Sequence, residues 1–160
     1  MALLTIRSNS EIKYEKLLSL RKKMCSSKIN IELSTFLQFI QKLKLTKTGP
    51  LISATFNYEH INGEEILDTE FLIPVDREIT ICNQEYRYKP VFHIVNAVSI
   101  RHIGSPNTLP STYEKLGEYI RHNNLQPITA AYNVNINDEQ ISNGQEPIID
   151  VYIGINPSSL

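Results

Sequence analysis

Between Glu32 and Leu45 the apolar residues Leu33, Phe36, Leu37, Ile40 and Leu43 recur at spacings of three and four, which lines them along one face of a helix. Thr46 to Pro50 breaks that period. Leu51 to Tyr58 then resumes with period two, so that Ile52, Ala54, Phe56 and Tyr58 share one side of a strand. Asn62-Gly63 predicts a hairpin turn, and Ile66 to Val75 the return strand, with Pro74 near its end where a lost backbone donor is tolerated. Similar patterns follow downstream. Val91 to Arg101 reads as a long strand, and Pro110 and Ser111 open a helix through Arg121 with Tyr113, Leu116 and Ile120 on its buried side. His122-Asn123-Asn124 stops that helix, Asn being a residue that accepts a left-handed cap. Tyr132 to Ile136 is a strand, Asn137 to Pro147 a polar loop, and Ile148 to Ile155 the last strand.

Two regions are less regular. Leu3 to Arg7 is a short apolar run that predicts a first edge strand ended by Ser8-Asn9-Ser10. Glu11 to Met24 has a helical composition, yet Leu17 to Arg21 lines up with the strand-like Ala97 to Arg101, which favours strand for its second part. The segment holding Ile79-Thr80-Ile81 and Tyr86 to Lys89 predicts either a short strand pair or a connector between the copies.

That alignment is general. At an offset of eighty positions Phe39-Ile40 meets Tyr119-Ile120, Leu45 meets Leu125, and Glu70 to Ile73 meets Asp150 to Ile153, with identities at Ser19/Ser99, Arg21/Arg101, Ile61/Ile141 and Ile73/Ile153. The apolar phase is kept through helix, turn and terminal strand, which implies two copies of a strand-helix-strand-strand unit. The expected fold is therefore α+β, a pseudo-two-fold antiparallel sheet with helices on one face and a crevice where the copies meet. The first copy covers residues 3–76, a connector 77–90, and the second copy 91–156, within one domain of residues 1–160.

With 160 residues, 41% hydrophobic and 21% charged, a single compact core is expected. No apolar run has membrane-helix length, and the start is charged too soon for a secretory signal, so the expected compartment is the cytoplasm. Cys25 and Cys82 form neither a Cys-x-x-Cys pair nor a disulfide framework. A net charge of −1 gives no footprint for nucleic acid, and no membrane contact is expected. Charge is uneven along the chain, because Lys13 to Lys47 is strongly basic and Glu59 to Glu78 acidic. A solvated basic face beside an acidic hairpin is favoured over a docking surface for an acidic partner.

The helix carrying Tyr113 to Ile120, followed by Asn124-Leu125-Gln126-Pro127, Tyr132 and Ile149 to Ile153, resembles the GyrI-like small-molecule-binding domain, which is also the effector-binding domain of AraC-type and MerR-type activators. The resemblance implies two copies of the same unit, in agreement with the repeat. Two positions depart from it. Thr129-Ala130 stands where the family has Gly-Pro, kept here as Gly49-Pro50, and Ile153-Gly154 stands for the usual Ile-Pro, kept here as Ile73-Pro74. Because Leu3 already falls within the first copy, a stand-alone member is expected.

Strand parity supplies a candidate site. Val151, Ile153 and Ile155 fall on the helix side, as do Phe71, Ile73 and Val75, which leaves Asp150, Tyr152 and Gly154, with Glu70 and Leu72, on the opposite face. A carboxylate among aromatic rings attracts organic cations. Asp150 and Tyr152 fit that chemistry, and the resemblance makes Asp150 the acidic residue that selects the ligand. Glu70 is its counterpart, and Tyr132, Phe56 and Tyr58 are candidate walls; the alternative is that both carboxylates are surface charges on a solvated face and the aromatics are core. His60, His93, His102 and His122 show no metal-ligand spacing, so neither metal nor cofactor is expected, and no nucleophile elbow or phosphate-cradling loop is present. The leading expectation is a module binding an amphipathic or cationic small molecule in the crevice. The alternative is a protein-interaction module, an inhibitor or accessory factor; a third, implied by the resemblance, is a hydrolase using Asp150 with Tyr132 or Tyr152.

Overall fold

A computed structural model describes residues 5–81, 83–139 and 144–159. Cys82 and Ile141 lie outside them. In chain order the elements are β1 (Ile6–Cys25), α1 (Ile29–Lys42), β2 (Ile52–Ile61), β3 (Glu64–Pro74), β4 (Tyr86–Ile103), α2 (Leu109–His122), β5 (Pro127–Asn135) and β6 (Ile148–Ile155), with a 3-10 turn before each helix. The chain divides into two compact units, Tyr14–Phe92 and Met1–Lys13 with His93–Leu160.

In the unit Tyr14–Phe92 the strands lie in the order β1-β3-β2, all antiparallel. Phe71 and Ile73 of β3, with Val75 just beyond its end, pack with Leu18 and Leu20 of β1 against Phe36 and Ile40 of α1, so the spacing of three and four buries the predicted face. Tyr86 closes this core by stacking on Phe39, with ring centroids 4.0 Å apart. In the other unit the order is β4-β6-β5, again antiparallel. Here Val98, Ile100, Val151 and Ile155 pack against Leu116 and Ile120 of α2.

The offset of eighty holds in three dimensions. Helix Ile29–Lys42 corresponds to Leu109–His122. The pairs Arg21↔Glu70 and Ile52↔Leu72 correspond to Arg101↔Asp150 and Tyr132↔Tyr152. Each helix ends on a left-handed residue, Lys44 (φ 57°) or Asn124 (φ 54°), and the next amide bonds back to the carbonyl of Ile40 or Ile120. The duplicated α+β unit is thus present in both sequence and structure.

Several boundaries differ from the pattern-based reading. Ser8-Asn9-Ser10 does not end the first strand: β1 continues through it and through Lys16, although Asn9 and Lys16 take left-handed φ values of 53° and 58°. The helical composition of Glu11 to Met24 is overridden by sheet pairing. Ile79 and Ile81 form no strand but pack as loop residues against the helix core, and β4 starts at Tyr86, after Asn83 caps the backbone N–H of Glu85 at 2.7 Å. In β2 a register shift between Thr55 and Asn57 makes Phe56 the extra residue of a bulge. The side shared by Ile52 and Ala54 is not continued, and Tyr58 is 65% exposed. Asn62 (φ 51°) and Gly63 (φ 79°) form the hairpin turn as expected.

The two departures from the family pattern turn out to be one compensated exchange. A methyl added at Gly49 would stand 3.0 Å from Pro74 Cγ, and one at Gly154 would stand 2.7 Å from Thr129 Cγ2. Thr129 is the counterpart of Gly49, and Gly154 of Pro74. The bulk absent at one position is supplied at its neighbour, and Gly154 has a backbone N–H, which donates to Thr129 Oγ1 at 2.8 Å, where proline has none.

Two buried carboxylates as the candidate functional site

Glu70 and Asp150 each occupy the middle strand of the three in their own unit, on the face turned away from the helix. Neither is a surface charge on a solvated face, since Glu70 is 3% and Asp150 8% exposed, and Leu72 is fully buried beside Glu70. A buried carboxylate is stable only when paired and hydrogen-bonded. Each unit meets that demand with its own residues.

Around Asp150 the partner is Arg101, its register neighbour on β4. Arg101 Nε and Nη2 donate to Asp150 Oδ1 and Oδ2 at 2.8 and 2.9 Å, a bidentate pair. The guanidinium is the wetter member, its side chain 43% exposed against 11% for the carboxylate. The bond to Asp150 raises the Arg101 pKa further. Tyr152 lies two residues along the same face, half-buried, and Tyr132 is its direct cross-strand partner on β5. Burial, and then the negative charge of Asp150, push the Tyr152 phenol above its ordinary range. The structure therefore brings Asp150, Tyr152 and Tyr132 to one face.

Around Glu70 the arrangement has diverged. Ser19 Oγ and Lys89 Nζ both donate to Glu70 Oε2 at 2.7 Å. Arg21, the counterpart of Arg101, turns to Asp68 at 3.1 and 3.2 Å and lays its guanidinium 3.8 Å from the centre of the Phe56 ring. The reason lies two residues before the carboxylate: the first copy has Asp68, the second has Ile148 there, so Arg101 is left with Asp150 alone. Phe56 thus neighbours Arg21, while Tyr58 meets His60 edge-on at the outer end of the hairpin.

The basic segment and the acidic hairpin are joined by ion pairs. Lys23 contacts Glu59 and Arg21 contacts Asp68, while Lys22 bridges Glu32 of its own segment and Glu85 beyond the hairpin, the Glu85 bond doing most to raise the Lys22 pKa. Among the histidines, His102 is buried and bonded through Nδ1 to Thr112 and through Nε2 to the Ser105 carbonyl, a structural role. No group of three or more metal-ligating side chains occurs among the described residues, and none of their helices is long and apolar enough to cross a membrane.

Pattern reading missed Arg101, Ser19 and Lys89. Two of these carried a signal: Ser19/Ser99 and Arg21/Arg101 are identities of the repeat, and the strand register puts them on the carboxylate face. Lys89 had none, since Asn9 stands at the equivalent place one copy earlier.

Among solved structures the fold is shared with the C-terminal domain of EcmrR, with a TM-score of 0.71 at 15% identity over 98% of this chain and 100% of that one. Against EcmrR in its complex with DNA the TM-score is 0.72 at 16% identity, and 98% of this chain covers 58% of that chain. The chain thus spans a little over half the length of that EcmrR chain. A hydrolase from Listeria innocua is more distant, with a TM-score of 0.58 at 10% identity over 96% of this chain and 91% of that one. No family model and no curated protein matches the sequence. The GyrI-like resemblance therefore holds at the level of the fold.

Proposed function

We propose that the protein is a ligand-binding module that takes an organic cation on the face formed by Asp150, Tyr152 and Tyr132. One observation carries this reading: a buried carboxylate beside a cross-strand tyrosine pair is neutralised by an arginine that is itself nearly half exposed. A ligand cation can replace that guanidinium over Asp150, because the displaced arginine returns to water while the carboxylate stays paired. The tyrosine rings favour an aryl or alkyl ammonium over a hydrated metal ion. The shared fold with the EcmrR C-terminal domain supports the coarser statement, a ligand-binding module.

Calorimetric titration with benzyltrimethylammonium and its neutral isostere neopentylbenzene tests the proposal. The cation is expected to bind and the isostere to bind at least about tenfold more weakly. Asp150→Asn should abolish the difference, and Arg101→Gln, which removes the internal competitor, should tighten cation binding. Equal affinity for cation and isostere, or weaker cation binding in Arg101→Gln, would overturn it.

A further inference from the structure

The unit Tyr14–Phe92 has a cleft of its own, about 470 Å³, lined by five cationic and three acidic side chains together with Ser19 and Gln84. No apolar side chain lines it, which separates its chemistry from that of the tyrosine-walled face around Asp150. Most of its charges are spoken for. Arg21 holds Asp68, Lys22 holds Glu85 and Glu32, and Lys23 holds Glu59. Two groups stand out from this internal neutralisation. Arg87 is exposed, and its side chain has no ion pair or hydrogen bond among the described residues. Glu70, nearly fully buried at the same cleft, receives both of its bonds on Oε2, so that Oε1 retains its accepting capacity.

We propose that this cleft is a second binding site, for a small zwitterion whose acid group and ammonium are joined by a short chain. The acid group pairs with Arg87 and with Lys89, whose ammonium has three donors and spends one on Glu70. The ligand ammonium donates to Glu70 Oε1. A lone anion would meet the carboxylates of Asp68, Glu70 and Glu85, and a lone cation the surrounding lysines and arginines, so each half of the ligand needs the other. A hydrophobic cation finds no wall here.

The test compares phosphoethanolamine and β-alanine, which carry both charges, with inorganic phosphate and ethanolamine, which carry one each. The intact chain is expected to bind at least one of the zwitterions, phosphoethanolamine marking a phosphate requirement and β-alanine a carboxylate one. Either should bind about tenfold or more tightly than both single-charge probes. Arg87→Gln, at an exposed position, should weaken zwitterion binding about tenfold with the melting temperature unchanged, and Glu70→Gln should erase the advantage over inorganic phosphate. Benzyltrimethylammonium binding should be indifferent to Arg87→Gln, which keeps the failure of this site distinguishable from failure of the Asp150 site. Failure of both zwitterions to bind, parity of phosphate or ethanolamine with them, or full zwitterion binding in Arg87→Gln would overturn the proposal.

Discussion

Asp150 and Arg101 form a pair whose two halves are unequal, and substitution should expose the inequality. Removing the charge from Asp150 leaves a guanidinium that is already 43% exposed and can rehydrate. Removing Arg101 strands a carboxylate in the sheet interior. Asp150→Asn is therefore expected to cost about 1 kcal/mol or less, after discounting for solvent screening of the arginine, and Arg101→Gln about 2 kcal/mol. Urea denaturation of the two variants at neutral pH checks the order, and a larger loss in Asp150→Asn would contradict it. At this scale the carboxylates were legible from strand parity, whereas the pairing was not, although Ser19 and Arg101 stood out as repeat identities. Parity assigns a side chain to a face but says nothing of which of two neighbouring acids an arginine will choose, and Arg21 chose Asp68 where Arg101 had only Asp150.

Elements were legible where period and punctuation agree. The two helices, the Asn62-Gly63 hairpin and β6 follow from spacing and turn chemistry alone. The long strands β1 and β4 do not, since polar interruptions at Ser8-Asn9-Ser10 and near Pro90 read as ends, and sheet pairing carries the chain across them. The helix caps differ in quality. Asn124 tolerates a left-handed φ, while Lys44 adopts one with an ordinary Cβ, so Lys44→Gly should raise stability by about 0.5–1 kcal/mol in thermal or urea melts. The exchange at Thr129 and Gly154 makes a sharper prediction. Gly154→Ala drives a methyl to 2.7 Å from Thr129 Cγ2 and should cost about 1–3 kcal/mol. Adding Thr129→Gly should recover part of that loss, giving a non-additive cycle; strict additivity of the two changes would mean that the contact carries no energy.

For the molecule as a whole, the titrating groups with raised values act in one direction. Burial lifts the phenols of Tyr86, Tyr113 and Tyr152, and the bond to Glu85 lifts the Lys22 ammonium. Each raised group keeps its proton longer in the folded chain than in the unfolded one. Stability is thus complete below the unfolded values, near 10 for tyrosine, and should fall as pH climbs through the folded ones. Urea midpoints at about pH 9 and about pH 11 should show the decline, and phenolate absorbance should reveal a late-titrating tyrosine class that Tyr113→Phe diminishes. Duplication has a final consequence for anyone who would redesign this chain by averaging its halves. Position by position, a consensus of the two copies can pair Gly with Gly and open a hole, or Thr with Pro and force a collision, although each parent pairing fits. The heritable unit at this corner is the pair, so a whole copy can be transplanted where its separate letters cannot.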